Sequence, residues 1–179
     1  MNKTYFDNRN GFTLAEIMVS IAIVAIFSTV STATFYSYKR TGDLDMAALK
    51  LTSDIRKTQG YALGLKEQGG SYPWGIYFEM SNPNRYTIFA DSSGNYYYNN
   101  GESFLPVSFS DSITISEIRI DGVSRNRVNI VFSAPDPEIN MCRNQNRMQC
   151  AGSKVEIDLT KGTLTKTVSV NMLGLVEVY

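Results

Sequence analysis

The chain has 179 residues, enough for one domain plus an anchor. Lysines and arginines balance aspartates and glutamates at 17 each, so no whole-protein field favours nucleic acid or an acidic membrane. Histidine is absent, which excludes Ser-His-Asp and Cys-His catalysis and every histidine-containing metal site.

The first element in chain order is Gly11-Phe12-Thr13-Leu14-Ala15-Glu16, followed by Ile17 to Tyr38 without a single charge. A bilayer core needs roughly 20 apolar residues, so this run is long enough to span one. An ionisable group at the edge of such a run is expensive and marks a functional position whose partner must be found. Two plainer explanations stand beside this. Lys3 and Arg9 followed by an apolar stretch, with Ser31-Thr32-Ala33 as a small-residue cleavage site, fit a secretory signal peptide. Against that, Glu16 interrupts the apolar stretch, and the run exceeds the usual ~7–15 residues. A plain single-span anchor is the other. Lys3 and Arg9 before the run balance Lys39 and Arg40 after it, so the positive-inside rule leaves the topology open.

Gly-Phe-Thr-Leu-x-Glu with its apolar run resembles the prepilin signature of type IV pilins and type II secretion pseudopilins, over about residues 1–38. The resemblance implies that residues 1–11 are a leader removed by prepilin peptidase between Gly11 and Phe12, and that the Phe12 amine is then methylated. It implies that 12–38 form a transmembrane and later filament-core helix in the bacterial inner membrane. The head, 39–179, then lies outside the cytoplasm. Glu16 would face the N-terminal ammonium of a neighbouring Phe12, a pairing strongly favoured where the dielectric is low. Many major pilins carry a proline about where this chain has Ser31-Thr32-Ala33, a departure that favours a minor subunit.

After the run, Leu44, Ala48, Leu51, Ile55, Ala62 and Leu65 recur at steps of three, four or seven, predicting a one-sided amphipathic helix. Asp43 and Asp45 near its start and Lys66 near its end suit the helix dipole. One helix is expected from about Phe12 to about Glu67, with a flex point at Gly42 and a stop at Gly69-Gly70. From Tyr72 the periodicity becomes that of strands. Gly75–Met80 and Arg85–Ala90 flank the turn Ser81-Asn82-Pro83-Asn84 and predict a hairpin. Tyr96–Tyr98, Pro106–Phe109, Ile113–Ile120 with a bulge at Ser116-Glu117, Val128–Phe132, Val155–Leu159, Leu164–Val170 and Leu173–Val178 are further strands. Asp91–Asn95 and Lys161-Gly162 are turns between them. A helix first and many antiparallel strands after it predict an α+β fold. By resemblance it is a pilin-like fold, one long helix packed against an antiparallel sheet. Leu49–Leu63 and the closing strand–turn–strand also resemble GspH/FimT-type minor pseudopilins.

Cys142 and Cys150 lie between two strand candidates and predict a disulfide pinning a loop in an exported head, with two free thiols as the alternative. No further Cys or His exists to complete a metal site. Arg119, Arg125, Arg127, Arg143 and Arg147 gather in the later strands. Glu117, Asp121, Asp136 and Glu138 interleave with them, so a mixed solvated surface is favoured over a DNA-contacting patch. Tyr96-Tyr97-Tyr98 with Tyr72 and Trp74 either stack on sugars or bases or pack on the helix, the latter being usual. Asp91, Ser93 and Asn95 alternate like Ca²⁺ ligands but lack the bidentate glutamate of an EF-hand loop.

The expected function is that of a structural subunit, a minor pilin or pseudopilin, with no enzymatic activity and no cofactor. The partners implied by the resemblance are other pilin subunits, prepilin peptidase, the inner-membrane assembly platform and the lipid bilayer. The alternative is a membrane-anchored surface module for sugar or DNA that never joins a filament.

Overall fold

The computed structural model describes residues 11–65, 72–110, 112–134, 138–143, 150 and 152–179, without the side chains at 30–34, 36, 37, 65, 103 and 138. It divides into two compact units, Met1–Lys39 and Arg40–Tyr179. Helix α1, Leu14–Gly60, begins in the first and ends in the second.

In the first unit the helix carries its apolar side chains outward, with Phe12 83%, Leu14 80% and Phe27 69% exposed. Among the described residues, three hydroxyls inside the apolar run bond back to the helix itself. Ser20 donates to the Glu16 carbonyl, Ser28 to that of Val24 and Thr29 to that of Ile26. Such back-bonding hides polar groups from apolar surroundings. Among the described residues, no helix is long and apolar enough to cross a membrane. The uncharged run continues in sequence from Val30 to Tyr38, largely through positions whose side chains lie outside that description.

In the second unit the helix passes through Gly42 without a break, so the expected flex point is not used. Leu44, Ala48, Leu51, Ile55 and Ala62 are buried, as their spacing predicted. The helix ends earlier than expected. A π turn, Tyr61–Leu65, follows Gly60, and Gly64 already has φ 87°, a left-handed conformation that glycine adopts without cost. Glu67 and Gly69-Gly70 lie outside the described residues.

Ten strands follow: β1 (Trp74–Glu79), β2 (Arg85–Ala90), β3 (Ser103–Ser108), β4 (Thr114–Ile120), β5 (Val123–Ser124), β6 (Arg127–Ser133), β7 (Glu138–Cys142), β8 (Lys154–Lys161), β9 (Leu164–Asn171) and β10 (Val176–Val178). They form two five-stranded antiparallel sheets rather than the single one expected, in the orders β3-β2-β1-β6-β7 and β10-β9-β8-β4-β5. The division arises because β4 pairs with β8, whereas the next long strand, β6, returns to β1. The fold is α+β.

The β1–β2 hairpin pairs Ile76 with Ile88 and Phe78 with Tyr86. The register shifts between Ile115 and Glu117, which is the bulge that the slipped isoleucine spacing predicted. Two expectations fail. Tyr96–Tyr98 is a loop, opened by Tyr96 at φ 66°, which strand pairing does not allow. The closing strand spans only Val176–Val178, because Asn171 Oδ1 accepts the Leu173 and Leu175 amides and folds Met172–Leu175 into a turn. Strands β5 and β7 were not foreseen.

The core joins the helix stripe to Trp74, Ile76 and Phe78 of β1, Ile118 and Ile120 of β4, and Ile157 and Leu159 of β8. Three polar ties fix the helix to the strands. The buried Tyr86 hydroxyl donates to Asp54, Lys161 Nζ to Asp43, and Lys166 Nζ pairs with Asp45 at 3.0 Å.

Candidate functional site

Helix α1 starts with a reciprocal cap. The Thr13 amide donates to Glu16 Oε2 at 3.0 Å, the Thr13 hydroxyl donates to the same oxygen at 3.0 Å, and the Glu16 amide donates to Thr13 Oγ1 at 3.3 Å. This is a capping box: the cap residue and the third helical residue satisfy each other's backbone donors. Thr13-x-x-Glu16 is its sequence signature, so this role of Thr13 was available from spacing and was missed. Phe12 and Gly11 lie just outside the helix and are exposed. A Cβ built on Gly11 meets nothing within 4 Å among the described residues, so the folded chain itself does not demand glycine there. What the arrangement offers is an exposed carboxylate with only local partners among the described residues, at the head of an exposed apolar helix.

Residues 7–32 match the prokaryotic N-terminal methylation motif. That motif supports a type IV pilin-like chain: a prepilin-peptidase substrate, membrane-anchored and then carried into a pilus with other pilin subunits. Proteins bearing it are structural rather than enzymatic. No curated protein and no solved structure matches the chain.

The other candidates are scattered over the second unit. Cys142, at the end of β7, is joined to Cys150 by a disulfide. The arginines do not form one patch. Arg119 is held by Glu117, Glu156 at 3.2 Å and Asp158 at 2.6 Å, contacts that hold its guanidinium firmly charged. Arg127 pairs with Glu79 at 3.4 Å on the other sheet, and Arg147 lies outside the described residues. Trp74 is core, 4.9 Å from the Tyr61 ring and 5.1 Å from that of Phe104. Tyr97 is buried, while Tyr98 stacks on Tyr77 at 5.1 Å.

Asp91 is fully buried, and its oxygens accept the Ser93 hydroxyl and the Asn95 and Tyr96 amides. The Asp-Ser-Asn alternation is thus a side-chain-capped turn. Among the described residues, no group of three or more Cys, Asp or Glu side chains is arranged to hold a metal.

Proposed function

We propose that this chain is a minor pilin or pseudopilin, a filament subunit that acts by assembly. Prepilin peptidase cuts between Gly11 and Phe12 and methylates the new amine. Residues 12–38 hold the protein in the inner membrane as a single span, with the head, 39–179, on the far side. On extraction into the filament the same apolar side chains become its packing surface, and Glu16 leaves its cap to meet the Phe12 ammonium of a neighbour. The head then carries specificity.

One observation carries this reading. The methylation motif falls on a helix start whose large apolar side chains, from Phe12 to Phe27, are exposed among the described residues. A soluble monomer rarely leaves so continuous an apolar surface uncovered. Lipid first and sister subunits later are the surroundings that cover it. The cap supports a register role for Glu16, because among the described residues its carboxylate is bonded only to Thr13, a local partner that it can exchange.

The test is intact-mass measurement of the native membrane form. The expected mature chain starts at Phe12 with a methylated amine. A chain starting at Thr34 would mean ordinary signal cleavage and would end the proposal.

A further inference from the structure

The outer face of the β3-β2-β1-β6-β7 sheet is covered along one row and open along the next. Gly75 of β1 is the reason for the covered row: a Cβ there would lie 2.6 Å from the Phe89 ring and 3.0 Å from Val131. The Phe89 ring therefore lies over Gly75 of β1, and Tyr98 packs edge-on against it with ring centroids 5.7 Å apart. The next row keeps register across four strands. Pro106 pairs with Thr87, Thr87 with Tyr77 and Tyr77 with Asn129. These four side chains floor a groove of about 750 Å³. That volume falls within the range of small-ligand sites, ~300–1,000 Å³.

The groove is built rather than incidental. One wall is the loop carrying Tyr98, Asn99 and Asn100. Asp91 ties its start through the Asn95 and Tyr96 amides, and Glu102 ties its end through the Asn99 amide and side chain. The Tyr98 amide donates to Asn129 Oδ1 at 3.0 Å, joining loop to floor. Tyr77 and Tyr98 are stacked, with an interplanar angle of 28°, so each ring is fixed by the other. Burial and the neighbouring Glu79 push the Tyr77 phenol up to about 12, which keeps it a neutral hydrogen-bonding group. A preformed site avoids the ordering cost of binding.

Its rim is cationic. Arg85, Arg127 and Arg143 line it against one acid, Glu79, which pairs with Arg127. Arg85 is exposed and has no ion pair among the described residues. The Arg143 Nε is buried without a hydrogen-bond partner among the described residues. Asp121 lies within electrostatic reach of Arg143, but its carboxylate is already taken by Ser153 and the Lys154 amide.

We propose that this groove binds an acidic saccharide, a sugar chain bearing carboxylates. A guanidinium grips a carboxylate with two parallel hydrogen bonds, and among the described residues neither Arg85 nor Arg143 is engaged in an ion pair that would compete for that task. The amides of Asn99 and Asn100 both donate and accept, matching adjacent sugar hydroxyls. The tyrosine pair supplies a flat apolar surface with polar edges for a pyranose face. Nucleic acid fits less well. The two rings are closed on each other, so no base can be sandwiched between them. With one of three cations neutralised, the groove also lacks the run of charges that tracks a phosphate backbone.

The experiment is calorimetric titration of the full-length chain in detergent, with a trigalacturonate probe. Neutral maltotriose and an oligodeoxythymidylate of equal charge are run beside it. The expected result is saturable trigalacturonate binding, at least ten-fold tighter than either comparison ligand. Arg85→Ala and Arg143→Ala should each weaken it ten-fold or more at unchanged thermal midpoint. Arg56→Ala, an exposed cation on the helix, should leave it unchanged. Absence of trigalacturonate binding, equal or tighter binding of the oligonucleotide, or equal loss with Arg56→Ala would each overturn the assignment.

Discussion

Ile21, Val24 and Ile26 are as apolar as Leu51, Ile55 and Ile76, yet the first three are 64%, 63% and 65% exposed and the last three 0%. Both sets but for Ile76 lie on one helix, so the contrast is not one of local structure. It is one of destination. From Arg40 onward the helix shows a buried stripe, Leu44, Ala48, Leu51, Ile55 and Ala62, that belongs to one core with strand residues of the same unit. Before Lys39 the run Ile17–Tyr38 carries no charge and its large apolar side chains from Ile17 to Phe27 are exposed, the pattern of a helix covered by surroundings other than itself. The head is specified by what it buries within itself. The N-terminal segment is specified by what it must meet.

The largest effect should come from Glu16→Val, which separates the two regions completely. The substitution makes the apolar run more apolar, so the protein should stay in the membrane fraction. Cross-linking to other pilin subunits should collapse, because a neighbour's Phe12 ammonium would be buried without its carboxylate, at a cost of about 3–5 kcal/mol. The thermal midpoint of the head should not move, since among the described residues Glu16 bonds only to Thr13 and Ser20 of its own helix. Unchanged cross-linking at equal protein level would remove Glu16 as a register contact.

A matched pair of truncations sharpens the same contrast from both sides. Leu51→Ala removes a fully buried side chain at the helix–sheet junction and should cost the head about 2–5 kcal/mol. Ile21→Ala removes a side chain that is 64% exposed, and should change head stability by less than ~0.5 kcal/mol while lowering incorporation into filaments. Thermal unfolding of the full-length chain in detergent, with cross-linking in cells, reads both. Equal destabilisation by the two would mean that the N-terminal segment is folded against the head.

These contrasts also explain what sequence could and could not reveal. The stripe Leu44–Ala62 was legible because 3.6-residue periodicity is imposed by one-sided burial. The bulge in β4 was legible because isoleucines that skip a step must skip a pairing. The N-terminal methylation motif was legible because its residues are contiguous. The split into two sheets was not, because strand partners are chosen across the whole head and leave no local mark. Tyr96–Tyr98 misled for a related reason. Three aromatics carry strand propensity, but the buried Asp91 carboxylate claims the Asn95 and Tyr96 amides and turns the chain into a loop. The groove was invisible for want of contiguity: Thr87, Pro106, Asn129 and Arg143 meet only through register.

The smallest expected effect lies in the head alone and is set by acid. Glu156 on β8 accepts from Lys154 Nζ at 2.8 Å, from the Tyr179 hydroxyl and from Arg119 Nε at 3.2 Å. The Lys154 and Tyr179 hydrogen bonds lead, and together these contacts lower its pKa to about 2 from an ordinary value of 4.5. A carboxylate whose folded pKa is depressed binds fewer protons folded than unfolded between those two values. Its contribution to stability is therefore complete above about pH 4.5 and is lost as pH falls towards about 2. Glu156→Gln, which keeps the shape and removes the charge, should be less stable than the parent at pH 7. The two should converge as the medium is acidified through that window. Denaturant unfolding at pH 7, 4 and 2.5 measures the gap. A gap that stays constant with pH would mean that Glu156 acts through packing, and that the Arg119 network is held by Asp158 and Glu117 alone.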